Sequence, residues 1–290
     1  MNFNFMKWRY RAMLLSLTLC LLSLGLLTFR GLNFGIDFTG GNVVQVEFDN
    51  RPAVGDVREA VSVVVAREAM IQDVGERGII IRTSEDTEES RLQLIGVLSD
   101  RYPDMRVLGF EQVGPVIGQE LRTQAVWALV TALAGILIYI TVRFQFRFAV
   151  VSVVPLMHDA LLTLGVVSLM QMEVSSSFIA AILTIVGYSL NNTIIILDRI
   201  RENWKDLDRI GITDLVNAAT NQTLSRTLIT NITTLFPVTA LAVWGGPVLA
   251  TFSYTMMVGI VIGAYSSIMI STGLIVEWWL RKPEDARRRS

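Results

Sequence analysis

Six stretches of the chain stay apolar for the length of a bilayer crossing: 12–29, 125–142, 148–170, 177–197, 228–244 and 249–280. A hydrocarbon core about 30 Å thick takes roughly 17 to 25 helical residues, so each run is expected to be a transmembrane helix. The last is long enough to tilt or to end in a surface turn, with Trp278 and Trp279 as interfacial anchors beside Arg281 and Lys282. Between the first two runs the pattern changes from continuous to alternating, which marks a water-soluble module. Residues 42–48 alternate as a strand, 54–69 have the spacing of an amphipathic helix, and 70–74 and 78–82 are short strands about a turn at 75–77. Residues 85–102 open with acidic side chains, as a helix N-terminus prefers, and 105–113 close as a strand. The order β-α-β-β-α-β is the split βαβ of ferredoxin-like folds. The expected fold is an all-α six-helix membrane bundle with an inserted α+β ferredoxin-like domain.

Charge orients this plan, because Lys and Arg in short loops stay on the cytoplasmic side. One side holds Lys7, Arg9 and Arg11, then Arg143 and Arg147, then Arg199, Arg201, Lys205, Arg209 and Arg226, then Arg281, Lys282, Arg287, Arg288 and Arg289. The opposite connections, 171–176 and 245–248, contain no basic residue. Both ends, 1–11 and 281–290, are therefore expected in the cytoplasm with the amphipathic segment 198–227, and 30–124 is expected outside as a periplasmic domain. A cleaved signal peptide is the competing reading of the first run. Thr28, Phe29, Arg30 and Gly31 offer no small-x-small cleavage site, which favours an uncleaved anchor.

Composition agrees with a membrane solvent: 52% of the 290 residues are hydrophobic. The 25 basic residues are balanced by 26 acidic ones and dispersed, so no nucleic-acid surface is expected. The single cysteine, Cys20, cannot form an intrachain disulfide, and the single histidine, His158, cannot build a zinc site alone, so no metal or cofactor is expected. Without a G-x-x-x-x-G-K-[ST] loop or a nucleophile–base constellation, neither ATP hydrolysis nor other catalysis is expected.

Polar groups inside the apolar runs are the candidate functional residues, since a charge at mid-bilayer is expensive and turns toward a cavity, a partner or an ion path. Asp159 lies near the middle of the third run, beside His158. Pro155 on the same run leaves the Val151 carbonyl without its i+4 donor, and a bend there would give water or a partner access to Asp159. The alternative is an interhelical bond that only holds the bundle together. In the fourth run the spacing of Tyr188, Ser189 and Asn192 puts them on one helix face. Gly259, Gly263, Ser267 and Ser271 recur every four residues in the sixth run, a smooth stripe for helix packing. Outside the bilayer, Gly35, Gly40 and Gly41 allow a sharp turn, either a hinge or an ordinary linker.

Several of these stretches resemble the signature segments of the SecF family of protein-export subunits. They are Gly35-Ile36-Asp37-Phe38-Thr39-Gly40-Gly41; Gln112-Val113-Gly114-Pro115-Val116-Ile117-Gly118; His158-Asp159; Val186 to Thr193, running on to Asp198 through Asn203; and Gly259 to Ile268, in family order. The resemblance implies half of a transporter of the resistance-nodulation-division type. It further implies a place in the bacterial inner membrane and a partner, SecD, with which the chain would use a proton or sodium gradient to promote late steps of preprotein translocation. The SecYEG channel, YajC, SecA, unfolded preprotein and membrane lipid are the other implied partners. In that frame Asp159, Asn192, Arg226, His158 and Tyr188 belong to the ion path or its gate, and Gly35, Asp37, Gly40, Gly41, Gly114 and Pro115 to a joint.

One position departs from the family pattern. Asn192 stands where the family usually has an aspartate, paired there with the arginine that Arg226 matches. An amide cannot release a proton and arginine stays charged, so this pair cannot titrate. Either SecD supplies the titrating carboxylate, or the ion is sodium, for which amide, carboxylate and hydroxyl oxygens are acceptable hard ligands. Two other functions compete: half of a small-molecule or lipid exporter, although such exporters usually carry two large outer domains where this chain has one small one, and a scaffold of the translocon without ion coupling.

Overall fold

The computed structural model of the protein describes residues 3–65, 69–85, 87–143 and 146–281. The basic residues Lys282, Arg287, Arg288 and Arg289, and positions 66–68 of the expected helix 54–69, lie outside the described residues. In chain order the elements are α1 (Arg9–Phe29), β1 (Asn33–Phe34), α2 (Ile36–Thr39), β2 (Gly41–Glu47), α3 (Val54–Ser62), β3 (Met70–Val74), β4 (Gly78–Thr83), α4 (Glu88–Arg101) and β5 (Arg106–Val113). There follow α5 (Pro115–Arg143), α6 (Phe146–Met170), β6 (Glu173–Val174), α7 (Ser176–Glu202), α8 (Leu207–Trp244), α9 (Gly246–Tyr265) and α10 (Thr272–Arg281), with a π turn at Ser266–Ser271 between the last two. They form two compact units: Met1–Asn33 with Ala128–Glu173 and Ser177–Ser290, and Phe34–Trp127 with Val174–Ser176.

The smaller unit is built on a four-stranded antiparallel sheet in the order β3-β4-β2-β5. Alternation on β2 sends Val44 and Val46 to the covered face, where they oppose Ile81 and Ile79 of β4. α3 adds Val57, Ala60 and Val61, and α4 adds Leu94 and Leu98, all buried in one apolar cluster. Each buried Val, Ile or Leu contributes about 1.5–3 kcal/mol over an exposed one. α4 starts where Thr87 accepts the Ser90 N–H at 3.2 Å, with Glu88 and Glu89 in the first turn. α3 is shorter than the expected 54–69: helix ends at Ser62, and Val63 and Val64 form a turn before β3. The amphipathic spacing set by Val61 continues past the last helical residue, because Val65, just beyond the turn, still reaches the cluster.

Among the described residues, five helical stretches are long and apolar enough to cross a membrane: Met6–Phe29, Pro115–Arg143, Phe146–Met170, Ser176–Trp244 and Leu249–Arg281. The fourth, 69 residues long, contains two of the six expected runs. It is not one rod. A 3-10 turn at Asn203–Asp206 and Gly211, with φ 78°, interrupt it, and the two arms lie antiparallel. Tyr188 bonds Thr230 and, further along α7, Arg199 bonds Gln222, so positions rise on α7 as they fall on α8. α6 and the last stretch form the interior, each with 56% of its most apolar part buried, against 17% for α1.

Close helix packing follows from small residues. A Cβ at Gly165 would overlap Ser23 of α1, and one at Gly259 would overlap the Ile185 side chain of α7. Gly263 then faces Ser189, and Ser267 shares a 2.9 Å hydrogen bond with Thr193. The expected stripe of one small residue in four thus lies along α7 at Gly259, Gly263 and Ser267. Ser271 does not continue it, because the π turn rotates the stripe there and Ser271 bonds Val151 of α6.

At the cytoplasmic end expected from charge, Phe3 and Phe5 give their N–H groups to Asn221 and Asn217 of α8 at 2.8 and 2.9 Å. Arg9 pairs with Glu277 of α10 at 2.9 Å.

Candidate functional site

Asp159 sits in the middle of α6 with 1% of its surface exposed. An ionised carboxylate in that setting survives only if its lone pairs are used. They are. Ser189 of α7 donates to Oδ2 at 2.6 Å and Ser266 of the π turn donates to the same oxygen at 2.7 Å. Oδ1 lies 2.9 Å from Nδ1 of His158, so a neutral imidazole beside a charged carboxylate carries its proton on Nδ1. Nε2 of His158 is buried and has no hydrogen-bond partner among the described residues. The ring lies 6.4 Å from that of Tyr265, whose hydroxyl reaches the Ala12 carbonyl and Ser16 on α1. The access to Asp159 expected from a bend at Pro155 is absent within the chain itself: the carboxylate is enclosed, and the Val151 carbonyl freed by Pro155 accepts the Ser271 hydroxyl at 3.1 Å.

A second polar cluster lies between α7 and α8. Asn192, fully buried, donates from Nδ2 to Oδ1 of Asn231 at 3.3 Å, and Asn231 donates to the Thr227 carbonyl at 2.7 Å. Asn192 Oδ1 and the Thr227 hydroxyl are buried with no partner among the described residues. Tyr188 donates to the Thr230 carbonyl at 2.7 Å. The single face expected for Tyr188, Ser189 and Asn192 is therefore divided: Tyr188 and Asn192 turn to α8, and Ser189 turns to Asp159. Arg226 stands apart from both clusters; its side chain is exposed and makes no hydrogen bond or ion pair among the described residues. Asn192 meets Asn231 instead.

The glycine motif lies in the smaller unit. Gly40 and Gly41 have φ of 73° and 131°, and a Cβ at Gly41 would overlap the Thr83 carbonyl. Gly35 is different: φ −71° and ψ 171° suit any residue, so the backbone freedom expected there is not used. Asp37 Oδ2 accepts the Ser176 N–H at 2.6 Å. Gly114 precedes Pro115, the first residue of α5, and a Cβ on Gly114 would meet open space.

Not all of the residues that hold Asp159 and Asn192 are legible in the sequence. Asn231 was visible as an amide inside the apolar run 228–244, and Ser266 as a hydroxyl inside 249–280. Nothing in the one-dimensional pattern separates these from the many serines and threonines that bond their own helix, as Thr163 does to the Asp159 carbonyl.

Comparison with known proteins gives this arrangement a family. Residues 94–281 match the pattern described as protein export membrane protein SecD/SecF, C-terminal, and residues 25–50 match the SecD/SecF GG motif. A unit of long apolar helices and a sheet-based unit that carries the glycine motif thus define the class: a multi-pass membrane protein of the SecD/SecF type. Protein translocase subunit SecF from Desulfurispirillum indicum is 42% identical over 285 residues, covering 94% of this chain and 91% of its own. SecF from Rhodothermus marinus is 39% identical over 298 residues, covering 99% and 96%. Within that class, the chain belongs to the SecF family of protein translocase subunits. A crystal structure of SecDF from Thermus, described as a translocon-associated membrane protein, is similar with TM-score 0.91 and 39% identity; the match covers 97% of this chain and 39% of that one. A second SecDF structure, in a super-membrane-facing form, gives TM-score 0.75 at 37% identity, over 100% of this chain and 40% of that one.

Proposed function

We propose that the chain is one half of an ion-driven export device. It pairs with SecD to form a resistance-nodulation-division-type complex that acts with SecYEG, and functionally with YajC and SecA, on unfolded preprotein. In this reading it spans the bacterial inner membrane six times, with both termini cytoplasmic and a ferredoxin-like periplasmic domain. The antiparallel arms within Ser176–Trp244 support the sixth span, and the sheet order β3-β4-β2-β5 supports the ferredoxin-like assignment. Pairing is supported by the Thermus SecDF polypeptide, of which this chain matches 39%.

The observation that carries the reading is the buried carboxylate of Asp159, held by one hydroxyl from α7 and another from the π turn. A group that can change charge between packed helices couples ion movement to their arrangement. Arg226, exposed on this chain, is free to meet an acidic group of SecD; Asn192 orients the seam or offers its unpartnered oxygen to a cation. Purified complex with SecYEG in vesicles tests this. Asp159→Asn is expected to lower gradient-stimulated export at least tenfold while leaving ATP-driven export intact. Proton and sodium gradients applied singly identify the ion.

A translocon scaffold without ion coupling is the second reading. It is favoured by the complete satisfaction of both Asp159 oxygens within the chain and by the separation of Arg226 from Asn192. Full gradient response in both Asp159→Asn and Arg226→Ala would establish it in place of the first.

A further inference from the structure

The π turn Ser266–Ser271 is held from both ends by α6. Ser266 donates to the Asp159 carboxylate at 2.7 Å, and Ser271 donates to the Val151 carbonyl at 3.1 Å. Both serines are buried, at 0% and 1% exposure. In an α-helix, at 3.6 residues per turn, residues five apart point about 140° away from each other, so these two hydroxyls could not both face α6. The wider i→i+5 turn brings them to the same side. The two bonds to α6 therefore require the π register. Val151 is the acceptor that Pro155 leaves without a helical donor, so one turn serves both the buried charge and the gap in the α6 ladder.

We propose that this π turn links the charge state of Asp159 to the Pro155 gap in α6. With the carboxylate charged, Ser266 is drawn to Oδ2 and the π register keeps Ser271 on the Val151 carbonyl. With it neutral, Ser266 is released, the turn tightens to α geometry, Ser271 rotates away and the unserved carbonyl is freed. The proposal rests on the reading in which Asp159 changes charge. The titratable groups around it are His158 on the same helix, Tyr265 at the end of α9 against the His158 ring, and Cys20 on α1. Glu277 on α10 is committed to Arg9.

A double-mutant cycle tests the link without any transport assay, so the transport reading can fail separately. The full chain is unfolded reversibly in mixed micelles and followed by helical circular dichroism, for Asp159→Asn, Ser271→Ala and the pair. No hydrogen bond joins Asp159 to Ser271, so their coupling must pass through the turn. Once Asp159→Asn has released the turn, Ser271→Ala costs nothing further, and the pair is expected to miss additivity by about fivefold or more in the unfolding equilibrium constant. Ser168→Ala is the control: its hydroxyl bonds the Gly31 carbonyl elsewhere on α6 at 2.6 Å, and its cycle with Asp159→Asn is expected to be additive within about twofold. If Asp159→Asn does not fold, Ser266→Ala takes its place. Additivity in the Ser271 cycle, or equal coupling in the Ser168 cycle, overturns the proposal.

Discussion

Ser189 and Asp159, 30 positions apart in the chain, share a buried hydrogen bond of 2.6 Å. Behind them Gly263 leaves so little room that a Cβ there would stand 3.0 Å from the Ser189 side chain. A hydrogen bond to a charged group contributes about 1.5–3 kcal/mol. Ser189→Ala is therefore expected to lower stability by about that amount, and Ser189→Thr to differ from it by adding a methyl where Gly263 packs. Equilibrium unfolding in mixed micelles measures both.

The amide pair between α7 and α8 is expected to matter less to stability. Bonds between neutral side chains in membrane proteins average about 0.6 kcal/mol. Asn192→Leu removes one such bond and an unpartnered buried oxygen but leaves Asn231 Oδ1 without its donor, so its net cost is expected to be about 1 kcal/mol by the same unfolding measurement. If its effect on gradient-driven export is large while its stability effect is small, Asn192 acts on the ion path and not on packing.

Gly41 cannot take a side chain without moving the sheet. Its φ of 131° and the Thr83 carbonyl directly in the path of a Cβ both oppose Gly41→Ala. The loss is expected to be at least about 1–3 kcal/mol, seen as earlier thermal melting of β-structure in far-ultraviolet circular dichroism. Gly35→Ala, at extended angles that suit any residue, is expected to leave that transition unchanged.

Gly259 packs closely against Ile185 of α7. Gly259→Leu must displace Ile185, whose side chain fills the space, and overpacking of this kind costs about 1–3 kcal/mol or more. Gly135→Leu on α5, where a Cβ meets nothing within 4 Å, is the matched substitution and is expected to change stability by less than about 0.5 kcal/mol.

Much of this architecture can be read along the chain, and the reasons are particular. Uninterrupted apolar runs marked the long helices because lipid leaves the backbone no other way to satisfy itself. Alternation at Val44 and Val46 marked β2 because one face of its sheet is covered. Ends were harder. α5 begins ten residues before the apolar run it contains, since Pro115 suits the first helical position and Gln119, Glu120, Leu121, Arg122 and Gln124 are good helix formers. The site was half visible: Asp159 and Asn192 stood out as costly residues in apolar company, but their partners did not. Which serine meets Asp159 depends on a π turn, and no spacing in 266–271 announces an extra residue per turn. Arg226 illustrates the converse. Its match to a family position drew it toward Asn192, yet one chain by itself leaves it facing outward.

The bonds from Phe3 and Phe5 to Asn221 and Asn217 join groups more than 200 positions apart, 218 in the first case. During synthesis the amides at 3 and 5 reach the ribosome exit long before their acceptors exist. Helix α1 must therefore enter the lipid with its leading segment undocked, and it wins those two bonds only after α8 has emerged. The Arg9–Glu277 pair, 268 positions apart, closes later still, so this corner of the bundle is fastened in two stages, first by α8 and then by α10.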